Sequence, residues 1–258
     1  MRGTEAKRVV LQERDRRLLS ELARMRVVDR ELAKAVGGFR STTRANARLL
    51  ALTQAGYLKR SFVGTIAGGR KAVYRLSGKG LAISAGSSGG QASAGKSSYS
   101  ELFLEHQLQV NQVYITVKHK VILVADWRFH RWISFTRILS KASPLIPDGY
   151  FEVKHNSDVR SLFLEVDLGT EALRIWHKKI ESYLRLAVSG EFQKLFGQPR
   201  FRVIVIASSE KRADTIRNVC TKFTDKIFRF TSLESIKRES FWSPIWLKPV
   251  GNQREALL

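Results

Sequence analysis

The sequence predicts an α+β chain of two domains, on three observations. Residues 10–82 read as helix, helix, helix, strand, loop, strand, with a dense excess of arginine and lysine. Residues 84–98 (SAGSSGGQASAGKSS) are small and polar, the composition of a flexible linker. Residues 99–258 read as an α/β core in the order αβββαβ. A chain of 258 residues, 43% of them hydrophobic, is long and apolar enough to bury two cores. The expected division is therefore 1–83, a linker at 84–98, and 99–258.

Charge narrows the partner. Lys and Arg number 45 against 23 Asp and Glu, a formal net charge of +22. The excess is uneven, since residues 1–83 hold 19 basic and 6 acidic side chains. Concentrated basic charge is the electrostatic footprint of a polyanion. No apolar run approaches the roughly 20 residues needed to span a bilayer, and the N-terminus MRGTEAKRVV lacks the apolar centre of a secretion signal. A single cysteine, Cys220, excludes a disulfide framework and a cysteine-built zinc site. These features lead us to expect a cytoplasmic protein, associated with the nucleoid through DNA and with no membrane partner.

In the first domain, residues 11–25 form an amphipathic pattern with Leu18, Leu19 and Leu22 inward and arginines outward. Asp29 opens a short second helix that Gly37-Gly38 end. Ser41 is a good N-cap for a third helix, whose Leu49, Leu50 and Leu52 are expected in the core. Gly56 ends that helix, Tyr57-Leu58-Lys59-Arg60 begins a strand, and a loop from Gly64 to Gly69 turns into a second strand, RKAVYRL. This order resembles a winged helix-turn-helix, in which the third helix enters the major groove and the hairpin wing rests on the backbone. The expected DNA-binding residues are Arg40, Ser41, Thr42, Thr43, Arg44, Asn46 and Arg48 about the third helix, with Arg70 and Lys71 in the wing. Arg suits guanine and Asn suits adenine, while the wing cations suit phosphates.

The second domain opens on residues 99–117, a helix apolar around most of its circumference, with Glu101 and Glu105 on its polar stripe and His106 and Asn111 among apolar neighbours. Residues 120–125 (KVILVA) read as a strand, and Trp127 to Ile138 as a less regular aromatic stretch. Residues 149–154 and 161–168 read as a hairpin about the turn His155-Asn156-Ser157-Asp158. On its second strand Phe163, Glu165 and Asp167 share a face, with successive carboxylates roughly 6.5–7 Å apart. Two carboxylates so close need a compensating charge from a divalent metal or a lysine. Helix 171–188 then carries a buried stripe of Leu173, Trp176, Ile180, Leu184 and Ala187, which leaves Lys178 pointing away and sets Lys179 at the helix–sheet seam. Residues 201–207 form a buried strand, 208–223 a helix, KIFRF a last strand, and WSPIWLKPVG a cover.

The order helix, three strands, helix, strand resembles the PD-(D/E)XK nuclease core, with Pro147-Asp148 and Glu165 at the motif's acidic positions. Both domains together resemble the replication-relaxation proteins of plasmids and other mobile elements. The residues that carry this resemblance are His106, Asn111, Pro147-Asp148, the run Phe163 to Glu171 (FLEVDLGTE), Lys179, Tyr183, Arg202 to Ile206 and Arg212. The resemblance implies a DNA-binding protein acting in replication, transfer or transcriptional control, with double-stranded DNA as partner; because winged-helix proteins often read paired half-sites, a homodimer is expected. One departure matters. The nuclease motif expects Glu-x-Lys, and here the lysine's place holds Asp167. An active site would use Asp148 and Glu165 to hold Mg²⁺, Lys179 as a relocated lysine, and Asp167 with Glu105 or Glu101 completing the acidic set. A catalytically silent domain explains the same residues, with Asp167 paired to Lys179 or Arg174. Two readings therefore stand: a DNA-binding protein with an inactive second domain, and a metal-dependent endonuclease or nickase directed by its first domain.

Overall fold

The computed structural model describes residues 9–64, 68–85, 99–119, 122 and 126–258, which form a mixed α+β protein with one large sheet. The chain divides into two compact units, residues 1–119 and 120–258. In the first unit, α1 (Glu13–Met25) buries Leu18, Leu19, Leu22 and Met25 and stops at Arg26, whose φ of 65° breaks the helix. Strand β1 (Val28–Asp29) follows, and the Asp29 carboxylate caps α2 (Arg30–Gly37) by accepting from the Leu32 amide at 3.0 Å. Ser41 Oγ does the same for α3 (Thr42–Gln54), accepting from the Arg44 amide at 3.3 Å. Leu49 and Leu52 are buried as expected, but Leu50 is largely exposed, because α3 turns only one narrow stripe to the core.

Strands β2 (Leu58–Gly64) and β3 (Arg70–Leu76) pair antiparallel from Leu58↔Leu76 to Gly64↔Arg70. The middle of the expected loop, residues 65–67, lies outside the described residues. The two-residue β1 joins β3 to give a sheet of order β1-β3-β2, an addition too short to leave a period in the sequence. Helix α4 (Gly78–Ala85) continues past the expected domain end at 83, and residues 86–98 of the expected linker lie outside the described residues.

Helix α5 (Glu101–His119), expected to open the second domain, belongs to the first unit. Its buried Asn111 explains why. The side-chain amide donates to the carbonyls of Met25 (2.9 Å) and Val27 (2.6 Å), and its oxygen accepts from Gln107 at 3.0 Å. Those carbonyls sit where α1 has just ended and cannot be satisfied within the helix. Glu21 reinforces the attachment, accepting from the Tyr114 hydroxyl and from Lys118 Nζ at 2.5 Å. Composition marks a polar stretch as a boundary, whereas the boundary itself depends on which elements exchange such contacts.

Among the described residues, the second unit is built on a seven-stranded sheet. In chain order it comprises β4 (Arg128–Ile133), β5 (Gly149–His155), β6 (Asp158–Asp167), α6 (Leu173–Val188), α7 (Glu191–Phe196), β7 (Arg202–Ala207), α8 (Glu210–Cys220), β8 (Phe228–Ser232), α9 (Leu233–Arg238), β9 (Trp246–Leu247) and β10 (Arg254–Glu255). The order across the sheet is β10-β9-β8-β7-β6-β5-β4. Strands β4, β5 and β6 form an antiparallel meander, and β6, β7 and β8 run parallel. Parallel neighbours need crossovers, supplied by α6 with α7 and by α8. The aromatic stretch after Trp127, expected to be less regular, forms strand β4 with a bulge between Phe129 and Arg131. Most of the strand expected at 120–125 lies outside the described residues.

Tyr150 and Phe163 face each other across β5 and β6 and meet Tyr183, Phe192, Phe196 and Phe201 in an aromatic core. The buried stripe of α6 is Trp176, Ile180, Tyr183 and Leu186; Leu173 and Ala187 are exposed. Gly149 in the Pro-Asp-Gly run serves close packing, because a Cβ there would come within 2.6 Å of the Trp132 ring.

Replacing Asn111 with leucine is expected to strand the Val27 carbonyl, to leave the Met25 carbonyl with only the Val27 amide as donor, and to lower stability by about 1–3 kcal/mol, read from urea denaturation of the full chain. An Asn111→Leu protein as stable as wild type would contradict this account of how α5 is held.

Candidate functional site

Two groups of residues are candidates, one in each unit. In the first, the N-cap of α3 leaves the start of that helix open. Arg40, Thr43, Arg44 and Asn46 are exposed, and Ser41 and Thr42 are partly so. Arg48 is different. It forms a bidentate pair with Asp15, Nε to Oδ1 at 2.8 Å and Nη2 to Oδ2, and also donates to the Val10 carbonyl at 2.7 Å. Asp15 is fully buried. The hydrogen bond to Asp15 holds the Arg48 guanidinium above its ordinary pKa. Such a pair consumes the fork that would otherwise meet a base, so Arg48 holds α3 to α1.

Lys71 is likewise engaged, at 3.2 Å from the Asp29 carboxylate that caps α2. Arg70 is exposed. Sequence reasoning missed Arg60 and Phe62. Phe62 is 44% exposed, with the Arg60 guanidinium 5.4 Å and the Arg70 guanidinium 6.0 Å from its ring centre. An aromatic two residues after an arginine on β2, hence on the same outward face, was the available signal.

In the second unit, Asp148 and Glu165 come together at one end of the β5–β6 pair. The Asp148 amide donates to the Leu164 carbonyl at 3.1 Å, and Asp148 Oδ2 accepts from the Val166 amide at 2.7 Å. Glu165 is 1% exposed. Its Oε2 accepts from Lys179 Nζ at 2.9 Å and its Oε1 from the Tyr183 hydroxyl at 2.5 Å. Lys179 also pairs with Glu171 at 2.9 Å and lies 5.0 Å from the Trp176 ring centre. Lys178 is exposed. The helix-phase expectation that distinguished these two lysines matches their positions.

Three carboxylates thus surround one ammonium. Burial, reinforced by the neighbouring Asp148 charge, raises the Glu165 carboxyl to about 7 despite Lys179 and Tyr183. For Lys179, burial alone would lower the pKa, but the charges of Glu165, Asp148 and Glu171 outweigh it and hold the ammonium above its ordinary range. The Tyr183 hydroxyl is pushed well up by burial and by Glu165, and remains a donor.

Asp167, also 1% exposed, has separate partners. Arg212 Nε and Nη2 donate to Oδ1 and Oδ2, both at 2.8 Å; Trp176 Nε1 donates to Oδ2 at 2.7 Å and the Gly169 amide to Oδ1 at 2.6 Å. Burial would raise this carboxyl, but Arg212, Trp176 and the Gly169 amide together hold it below its ordinary value. The partner expected for Asp167, Lys179 or Arg174, is corrected to Arg212. Lys179 is committed to Glu165 and Glu171, and Arg174 is exposed. Glu101 and Glu105 are exposed on α5 in the first unit.

This donor set does not fit a resident Mg²⁺. Magnesium demands several oxygen ligands in near-octahedral array, and both Glu165 oxygens already accept from Lys179 and Tyr183. Among the described residues no three His, Cys, Asp or Glu side chains are grouped so as to hold a metal. The Lys179 ammonium lies 2.9 Å from Glu165 Oε2.

Arg212→Ala would leave a buried carboxylate uncompensated and should cost about 3–5 kcal/mol of stability near neutral pH. Because the folded-state pKa of Asp167 is depressed, its contribution is present above the ordinary value of 3.8 and is lost as pH falls through the folded value. Denaturation of wild type and Arg212→Ala should therefore converge in acid; a gap that widened there would refute the assignment. Glu165 acts with the opposite sign. Its raised pKa gives stability that is complete below 4.5 and fades as pH rises toward about 7, so wild type should lose ground to Glu165→Gln across that window.

No curated protein and no solved structure matches the chain. Among the described residues no helix is long and apolar enough to cross a membrane. The replication-relaxation family model matches residues 4–198, taking in the open start of α3, the Asp148–Glu165–Lys179 cluster and Asp167, and leaving out Arg212. That match covers 195 of 258 residues, and the chain belongs to the replication-relaxation family.

Proposed function

We propose that this chain is a DNA-binding protein of a plasmid or other mobile element, acting in replication, transfer or transcriptional control. In this reading the first unit is a winged helix-turn-helix, with α3 as its recognition helix and the β2–β3 hairpin as its wing. The observation that carries it is the open start of α3, where Arg40, Thr43, Arg44 and Asn46 project from a helix fixed from behind by Arg48 and Asp15. Arg44 and Asn46 suit guanine and adenine edges. Arg60 and Arg70, about Phe62, suit the phosphates beside the groove.

The second unit, whose order β4-β5-β6-α6-β7 lacks the opening helix α5, is read as a PD-(D/E)XK-like core that does not cleave. An internal lysine supplies the charge that an active nuclease would take from a metal, and Asp167, at the motif's lysine position, is closed off by Arg212. The unit then serves the DNA-bound protein as a scaffold, including for pairing two copies on paired half-sites.

Gel-shift titration on duplex DNA should show affinity falling steeply as salt rises, because bound phosphates release counterions. Arg44→Ala should weaken binding to the preferred site by about 1–3 kcal/mol, while Arg70→Ala should weaken all sequences alike. Salt-insensitive binding, or none to duplex, would remove the reading. Supercoiled plasmid with Mg²⁺ or Mn²⁺ should stay intact with wild type, Asp148→Ala and Glu165→Ala alike. Metal-dependent nicking by wild type that both substitutions abolish would instead make the protein an endonuclease.

A further inference from the structure

At the start of the parallel strands, the end of the sheet away from Asp148 and Glu165, the second unit holds a cavity of about 410 Å³. That volume lies within the range of small-ligand sites, roughly 300–1,000 Å³. Its polar lining is almost wholly cationic: Arg160 on β6, Arg200 and Arg202 at the start of β7, Lys226, and Arg229 on β8. Apolar walls come from Leu162, Phe201 and Ile227.

Among the described residues, only Arg229 of these cations has a carboxylate partner, Glu255. Glu255 is engaged by Arg229 and, at 2.9 Å, by Lys248. Arg202 is tied to the protein through a 2.9 Å hydrogen bond to the Leu257 carbonyl, a neutral group. Arg160 rests against the Trp127 ring, 5.7 Å from its centre, and its buried Nε has no acceptor. Among the described residues none of Arg160, Arg200 and Arg202 forms an ion pair with a carboxylate. Burial, with repulsion from Arg229, Arg160 and Arg200 outweighing the attraction of Glu255, lowers the Arg202 pKa. Convergent guanidinium groups held against such repulsion are what planar, bidentate recognition of phosphate requires.

We infer that this arginine-lined cavity is a binding site for a phosphate-bearing ligand. It depends on the DNA-binding reading of the first unit in no respect, and Arg200, Arg202, Lys226 and Arg229 lie beyond the segment that the family model matches. The phosphates come either from a small molecule or from a polynucleotide backbone.

Calorimetric titration of the full chain with inorganic pyrophosphate, and separately with a short single-stranded oligonucleotide, distinguishes these sources. Arg200→Glu, at an exposed position, and Arg202→Ala are compared with wild type, with folding checked by circular dichroism. Saturable pyrophosphate binding that weakens about tenfold or more in the variants establishes a small-molecule phosphate site. No pyrophosphate response, but an oligonucleotide affinity reduced by the same substitutions, makes the ligand a backbone. If Arg202→Ala fails to fold, Arg200→Glu alone decides. Binding of both probes that is absent, or equal in wild type and variant, overturns the inference.

Discussion

The second unit depends on the compensation of carboxylates buried on one face of its sheet. Glu152, Glu165 and Asp167 are each about 1% exposed, and each is met by a cation from a different element: Arg131 on β4, Lys179 on α6 and Arg212 on α8. A buried ion pair adds little net stability over an apolar replacement, but removing one partner is severe. The consequence is geometric. Sliding α6 by one residue would take Lys179 from Glu165, and shifting α8 would take Arg212 from Asp167. The aromatic core of Tyr150, Phe163, Tyr183 and Phe192 supplies the apolar burial, while the ion pairs select one docking of the helices from those that the core alone would tolerate.

Charge neutralisation also separates structural from available cations in the first unit. Arg48 and Arg44 lie four residues apart on α3, and the sequence treats them alike. Asp15, buried on α1, claims Arg48 and leaves Arg44 open. The same division recurs between Lys71, drawn to Asp29, and Arg70, exposed beside Phe62. A basic surface is thus sorted into groups that hold the fold and groups that can meet a polyanion. At the start of β7 the sorting is different: Arg202 and Arg200 gather with Arg160 about a cavity and, among the described residues, form no ion pair with a carboxylate.

Much of this was legible because its cause is local. Ser41 and Asp29 cap helices through their own following amides, the alternation of 161–168 places Phe163, Glu165 and Asp167 on one face, and helix phase sets Lys179 rather than Lys178 at the seam. Where the sequence misled, the cause was distant. The α6 stripe shifted from Leu173 and Ala187 toward Tyr183 because Glu165 needs the Tyr183 hydroxyl and the aromatic core needs its ring. Strand β4 escaped notice because its pattern is broken by a bulge between Phe129 and Arg131.

The sequence by itself determined the mixed α+β character, the basic first unit, the caps, the hairpin and the family, since each rests on neighbours within a few turns or on a run such as Phe163 to Glu171. Only the tertiary structure decided that α5 belongs with the first unit, that Asp167 belongs to Arg212, and that five cations converge on one cavity. Those outcomes depend on pairings across 45 residues for Asp167 with Arg212 and 86 for Asn111 with Met25. Short-range pattern cannot encode which of many available arginines or carbonyls a folded chain brings within 3 Å of a given side chain.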